Sequence, residues 1–453
     1  MPNNNSLASS PTFRKISYIV RPKTLNAIMN EDFLYYLWKY HLPGKTLTGS
    51  KKEKIHIQHP GQQNHDSGPD FFNGNIKIDD TLWAGNIEIH TKSSDWYRHG
   101  HQNDPHYDNI ILHVAYENDR PVRRKNGEFI PTLVLKDKFN EKLYEKYRGF
   151  LLSKQWIPCQ DDIVKAGHFE IFSWLHRLSI ERLEQKTKEI EQMLYGSKND
   201  FREIFYRKLL RSYGFKTNSE AFEQLALSLP FSVLAKHKYH LPQLEALLFG
   251  QAGMLQENFR DEYPKQLQAE YQFLSQKYAL KAMQPEAWKF MRMHPQNFPT
   301  IRIAQFAQLF CRSTALLQKI LEAEKLTDVI SLLQTEASGY WLTHFRFGMP
   351  GTSKPKKMGK PSLHLILINT IIPFVFVYGK RTNRQPLCEK AVDWLISLPP
   401  EKNYITRNFS LLEIKPENAM QSQALIQLKT FYCKNKQCLH CAIGHQLLKS
   451  TRY

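Results

Sequence analysis

Near Ile157 the hydrophobic period of the chain changes, and this constrains the fold more than any other feature. Upstream, FNGNIKID (72–79), TLWAGNIEIHT (81–91) and NIILHVAYE (109–117) alternate or cluster their apolar residues as strands do. Downstream, from about 165 to 395, apolar residues recur at helical spacing, as in LSIERLEQKTKEIEQML (178–194) and FREIFYRKLLRSYGF (201–215). The expected class is therefore α+β: an N-terminal α/β domain with a mixed sheet, then a large, mostly helical domain. NEDFLYYLWKYHL (30–42) places Phe33, Leu34, Leu37 and Trp38 on one helical face ahead of the sheet. KIHIQHPG (54–61) and FIPTLVL (129–135) read as further strands, and GQQNHDSGPD (61–70) as a turn-rich loop. The expected boundaries are a polar, basic, disordered tail at 1–28, the α/β domain at 29–155 and the helical domain at 156–453. Met29 stands just before the first patterned helix and offers an alternative start.

The 453 residues carry 62 Lys+Arg against 43 Asp+Glu, a formal charge of +19. Such a surface attracts polyanions, so nucleic acid is the expected partner, the alternatives being an acidic protein or a merely basic proteome background. The most membrane-like run, LHLILINTIIPFVFVYG (363–379), contains His364, Asn369 and Pro373 and reads as a buried helix. Residues 1–30 lack the apolar core of a secretory signal. Six cysteines in a chain this long do not suggest a disulfide scaffold, and with three of them bunched the expectation is a cytoplasmic protein with a metal site. No Walker phosphate loop, Rossmann glycine fingerprint or HExxH motif is present, so ATPase, dehydrogenase and zincin readings have no support.

The chemistry concentrates in GNIEIHTKSSDWYRHGHQNDPH (85–106). Eight of the 18 histidines lie between His56 and His113, too dense a cluster for a scatter of surface imidazoles. Alternation along the strand puts Asn86, Glu88, His90 and Lys92 on one face and Ile87 and Ile89 on the other. Asp70, in Ser67-Gly68-Pro69-Asp70, is delivered by a turn at the mouth of the sheet. An acid and an imidazole two residues apart make a poor core but a good metal ligand beside a base. His99 and His101 cannot share a direction in a helix but can in an extended loop, where with Glu88 or Asp104 they would suit Zn²⁺ or Mn²⁺. Each of His99, His101 and His106 has a purely structural alternative around Trp96 and Tyr97, and His113 reads as a buried, satisfied histidine. Ser93 or Ser94 can cap a short helix after the strand.

Pro69-Asp70 followed by Glu88-Ile89-His90 resembles the core motif of the PD-(D/E)XK restriction-endonuclease-like nucleases. The resemblance covers residues 30–120. It implies Asp70 and Glu88 as ligands of Mg²⁺ or Mn²⁺, with Glu31 or Asp32 of the first helix as an auxiliary acid. His90 stands where that superfamily has lysine, and Lys92 lies one strand repeat further on.

Cys433-x4-Cys438-x2-Cys441 gathers three thiols within nine residues, which suggests a Zn²⁺ or iron–sulfur site at a C-terminal cysteine knuckle, the alternative being a reduced, partly buried cysteine group without metal. Cys159, in Ile157-Pro158-Cys159, is the first candidate for a fourth ligand, and His440 or His445 would complete a zinc site instead. Some nucleases of the resembled superfamily clasp a cluster with one distant cysteine and three near the C-terminus. Cys311 and Cys388 read as packing. In the helical domain, Lys354, Lys356, Lys357 and Lys360 of MPGTSKPKKMGKPS (349–362) are placed to grip phosphates or simply to be solvated.

SGPDF, GNIEIH, SDWYRHGH, ILHVAYE, EALLFGQAGML, FPTIRIAQFA and YCKNKQCLHCAIG together resemble an uncharacterised bacterial family, a domain of unknown function, from Met29 onward. The expected function is a metal-dependent phosphodiester hydrolase acting on DNA or RNA, with Asp70, Glu88, His90 and Lys92 catalytic. The alternatives are a decayed nucleic-acid-binding or assembly protein and a zinc hydrolase that uses the histidines.

Overall fold

A computed structural model describes residues 29–450 except 314 and 338. The expected tail at 1–28 lies outside the described residues. The chain divides into two compact units, one reaching Leu152 and taking in the last residues from Leu448, the other spanning Ser153–Leu447.

The first unit is a mixed sheet flanked by helices. Helix α1 (Glu31–Lys39) is capped by the Asn30 side chain, which accepts the Phe33 N–H, and it buries Phe33, Leu34, Leu37 and Trp38. Strands β1 (Thr46–Thr48), β2 (Lys54–His59), β3 (Gln62–Gln63), β4 (Phe71–Ile78) and β5 (Thr81–Lys92) follow. A short helix α2 (Asp95–Arg98) then crosses over to β6 (Ile110–Glu117), β7 (Thr132–Val134) and α3 (Glu141–Leu152). The sheet order is β1-β2-β4-β5-β6-β7, with β3 pairing off this path onto β4. β4 and β5 are an antiparallel hairpin, whereas β5, β6 and β7 run parallel. Parallel neighbours need a crossover, and that requirement sends residues 93–109 over the end of β5. Ser93 and Ser94 anchor its start. Ser94 occupies the N-cap position of α2, but its hydroxyl donates to Asp119 Oδ2 at 2.7 Å and caps nothing, contrary to the capping role expected from sequence.

The second unit is helical, from α4 (His168–Gly196) onward, around one aromatic-rich core that includes Phe205, Phe222, Phe249, Phe306, Trp341 and Phe374. The apolar run at 363–379 lies within one continuous rod, Lys360–Arg381, long and apolar enough to cross a membrane, with 67% of its most apolar window buried in the protein. Leu367–Ile371 widens to a π-turn just before Pro373. Proline has no N–H and its ring crowds the carbonyl four residues back, so the ladder opens there. Lys186 Nζ fills the gap, donating to Asn369 Oδ1 at 2.9 Å and Ile368 O at 3.3 Å.

The lysine-rich loop departs from expectation. Lys356 is fully buried, its ammonium donating to Leu342 O and lying 4.3 Å from the Phe345 ring centroid. It is a packing element and not a phosphate grip. Lys357 pairs with Glu336 at 3.6 Å, and only Lys354 and Lys360 remain exposed without such a partner among the described contacts.

A candidate metal centre beneath the crossover

Three carboxylates reach one place from three elements. Glu88 is central, buried in the middle of β5 with 4% of its surface exposed. Its Oε2 accepts the Asp70 N–H at 3.1 Å, while Asp70 Oδ2 accepts the Ile89 N–H at 2.9 Å. This reciprocal pair locks the Asp70 turn onto the strand. One side chain shapes that turn: the Asn64 amide donates to Asp66 O, Ser67 O and Pro69 O at 3.2, 3.1 and 3.0 Å. From α1, Tyr35 hydrogen-bonds Asp70, and the Glu31 carboxylate accepts the Thr91 N–H beside both acids. Of the two helix acids implied by the nuclease resemblance, Glu31 joins the group and Asp32 is exposed.

Imidazoles close the other side. Glu88 Oε1 lies 3.2 Å from His101 Nε2 and 3.6 Å from His90 Nε2. One nitrogen each of His90, His99 and His101 all lie within 4.8 Å of one another. His90 is fully engaged, with Nδ1 2.9 Å from His113 Nε2 and Nε2 3.2 Å from His99 Nδ1. His101 Nε2 faces Glu88 without hydrogen-bond alignment, and it and His113 Nδ1 are buried with no hydrogen-bond partner. Tyr107 stacks on His101 at 3.9 Å and Trp96 meets its edge at 5.5 Å, which fixes the ring.

The crossover accomplishes what an unbroken helix could not. His99 ends α2, Gly100 takes a left-handed turn at φ 76°, and His101 opens a short 3₁₀ segment. That reversal brings both rings to the same spot. A Cβ on Gly100 would meet no atom within 4 Å, so backbone conformation, not space, calls for glycine there.

Burial dominates the electrostatics of Glu88, Asp70, His90 and His113 and favours the neutral form of each. Burial pushes the Glu88 carboxyl up to about 8, helped by Glu31 and opposed by the Asp70 N–H. Burial and the neighbouring Glu88 push Asp70 up to about 7. Burial, then the imidazoles of His113, His101 and His99, pull His90 down to about 2, and burial pulls His113 to about 3. Three clustered imidazoles beside a carboxylate, with His101 Nε2 buried and unpartnered among them, are the donor set of a transition-metal site. His99 is exposed and His101 half-buried, so the cluster opens to solvent at His99.

Other sequence expectations resolve differently. Lys92 sits at the exposed end of β5, and no described contact joins its ammonium to the cluster. His106 and Asp104 pair with each other at the surface, 2.7 Å apart, and Asp104 reaches the cluster only through its charge, which favours protonation of His101. His113 is buried as expected but only half satisfied: Nε2 meets His90 Nδ1, and Nδ1 has no hydrogen-bond partner. Its signal was a lone polar residue in the apolar strand IILHVA; Tyr35 was signalled by lying one turn beyond Glu31 on the same helix. In the helical unit, a separate cavity of about 960 Å³ is lined largely by Phe, Leu and Tyr side chains.

A family model described as a protein of unknown function, DUF2851, matches residues 31–404. The chain belongs to this family. The match takes in the acidic–histidine cluster and Cys159 and stops short of Cys433, Cys438 and Cys441. No curated protein and no solved structure matches the chain.

Proposed function

We propose that the first unit is a metal-dependent phosphodiester hydrolase acting on DNA or RNA. The observation that carries this reading is the meeting of Glu88 with Asp70 on one side and His90, His99 and His101 on the other. Glu88, His99, His101 and His90 would hold the ion. A donor set this rich in imidazole favours Mn²⁺ or Zn²⁺ over Mg²⁺, which prefers oxygen ligands and keeps its waters. When bound, such an ion supplies Lewis acidity and a more acidic water. Asp70, held by Ile89 N–H and Tyr35, is the group of this chain positioned to take a proton beside Glu88. His90 is walled in by His113 and His99, so its part is to ligate and not to act as a free base. Acids from a helix, a turn and a central strand also resemble the PD-(D/E)XK arrangement, and the +19 charge suits a polyanionic substrate.

A zinc hydrolase of another ester or amide is the second reading, favoured by the three clustered imidazoles. Both are tested by incubating metal-loaded protein with labelled single- and double-stranded DNA and RNA in Mg²⁺, Mn²⁺ and Zn²⁺, beside Glu88→Gln, Asp70→Asn and His101→Ala. Cleavage strongest in Mn²⁺ and lost in all three variants is the expected result. Tight metal binding without cleavage of any nucleic acid would shift the assignment to the second reading. Nucleic-acid binding with neither metal uptake nor cleavage would point to a binding-only protein and end the hydrolase proposal.

A further inference from the structure

The second unit brings together four cysteines that the chain keeps far apart. Cys159 lies in the turn after Pro158, with its carbonyl accepting the Asp162 N–H at 3.1 Å. Cys433 closes a π-turn (Leu428–Cys433) that ends the helix Ala419–Gln427. Cys438 opens a 3₁₀ turn, and Cys441 immediately precedes the helix starting at Ala442. All four line one small cavity, otherwise walled mainly by apolar side chains such as Pro158, Ile163, Leu428 and Ile443. Neither His440 nor His445 is among the residues lining it. All four thiols are free, and Cys433, Cys438 and Cys441 are buried.

Burial raises the pKa of all four thiols, and at Cys441 hydrogen-bond donors oppose it. The N–H groups of Ile443 and Gly444, in the first turn of the helix after Cys441, are directed at the Cys441 sulfur. The Trp174 indole N–H faces the same sulfur and is buried with no nitrogen or oxygen acceptor. A Cβ on Gly444 would stand 2.2 Å from Cys438 O, so only glycine lets the two turns close around the cavity. Three donors aimed at a neutral thiol in an apolar wall would be poorly matched. Aimed at a metal-bound thiolate, they are the usual supporting hydrogen bonds.

The spread of the sulfurs bears on which metal fits. A single zinc with Zn–S near 2.3 Å would draw four sulfurs to roughly 3.8 Å from one another. Among the described residues, the group whose donor atoms close to within 4.8 Å is His90, His99 and His101, and no trio of these cysteines does so. The quartet is looser than a zinc tetrahedron, and the x4, x2 spacing with one remote cysteine is a known spacing for an iron–sulfur cluster.

We propose that Cys159, Cys433, Cys438 and Cys441 hold an iron–sulfur cluster that clasps the beginning of the helical unit to its end. The clasp is independent of the acidic–histidine site, so either proposal can fail alone.

The test is iron, acid-labile sulfide and zinc analysis of the full chain purified without oxygen, with its visible absorption before and after dithionite. Iron and sulfide in equal amounts, with a broad visible band bleached by the reductant, is the expected result. Cys159→Ser and Cys438→Ser should each lose most of the iron and lower the melting temperature, whereas Cys311→Ser and Cys388→Ser should keep both. Should a serine variant fail to fold, the composition of the wild-type protein still decides. Stoichiometric zinc without sulfide overturns the cluster. So does metal-free protein that takes up no iron on anaerobic reconstitution with ferrous iron and sulfide. Full iron retention in folded Cys159→Ser removes the clasp.

Discussion

Replacing Glu88 by glutamine should stabilise the metal-free protein while abolishing metal uptake. Glu88 is held in the interior with its carboxyl raised from 4.5 to about 8, burial being the main cause. The folded state keeps this proton to higher pH than the unfolded chain does. The stability the group confers is therefore fully present below about pH 4.5 and is lost as pH rises through about 8. Relative to a group that does not titrate, the loss is about 3 kcal/mol at neutral pH and approaches about 5 kcal/mol in the alkaline range. Glutamine removes it with little new cost. Its oxygen can still accept the Asp70 N–H, and its amide N–H can reach His101 Nε2, which has no partner now. Urea denaturation in chelator, followed by hydrogen exchange at the β5 and β6 amides, isolates the first unit. Glu88→Gln should match wild type near pH 4.5 and exceed it by about 3 kcal/mol at neutral pH, the gap widening with alkalinity. With Mn²⁺ or Zn²⁺ at about a hundred times its dissociation constant, wild type should gain about 2.7 kcal/mol and the variant nothing. A variant less stable than wild type in chelator at alkaline pH, or a gap that does not grow with pH, would refute the reasoning.

Gly100→Ala should cost about 1–2 kcal/mol from the left-handed backbone alone and weaken metal binding by moving His99 against His101; unchanged metal titration would contradict this. His113→Phe removes the partner of His90 Nδ1 and should lower metal affinity about 10–100-fold, as read by competition with a chelating dye. Lys356→Ala should lower the stability of the helical unit by about 2–4 kcal/mol through a lost buried hydrogen bond and a cavity. It should leave the salt dependence of nucleic-acid binding unchanged, whereas a reduced salt slope would restore the phosphate-gripping role.

Much of the first unit was legible because its signals are local. Alternation placed β4, β5 and β6 to within a residue or two, and the spacing of Phe33, Leu34, Leu37 and Trp38 placed α1. The three-residue β1 was missed because TLT has too few residues to show a period. Within the site, Glu88 and His90 could be assigned to one face of β5, since a strand fixes the direction of every second side chain. Lys92 obeyed the same alternation but lies beyond the buried stretch, and alternation carries no information about where a strand leaves the core.

The sequence by itself determined the order of the elements, the switch from strand to helix near Ile157 and the two segments where chemistry collects. These follow from short-range periodicity and residue type, which need no knowledge of distant partners. Only the tertiary structure decided which groups meet. A parallel β5–β6 pair with a left-handed Gly100 folds His99 and His101 back over Glu88. Packing drew Lys356 out of solvent. Cys159 came to Cys433, Cys438 and Cys441 across more than half the chain. Each of these outcomes depends on long-range packing, whose free energy belongs to the assembled core and is written in no local stretch of residues.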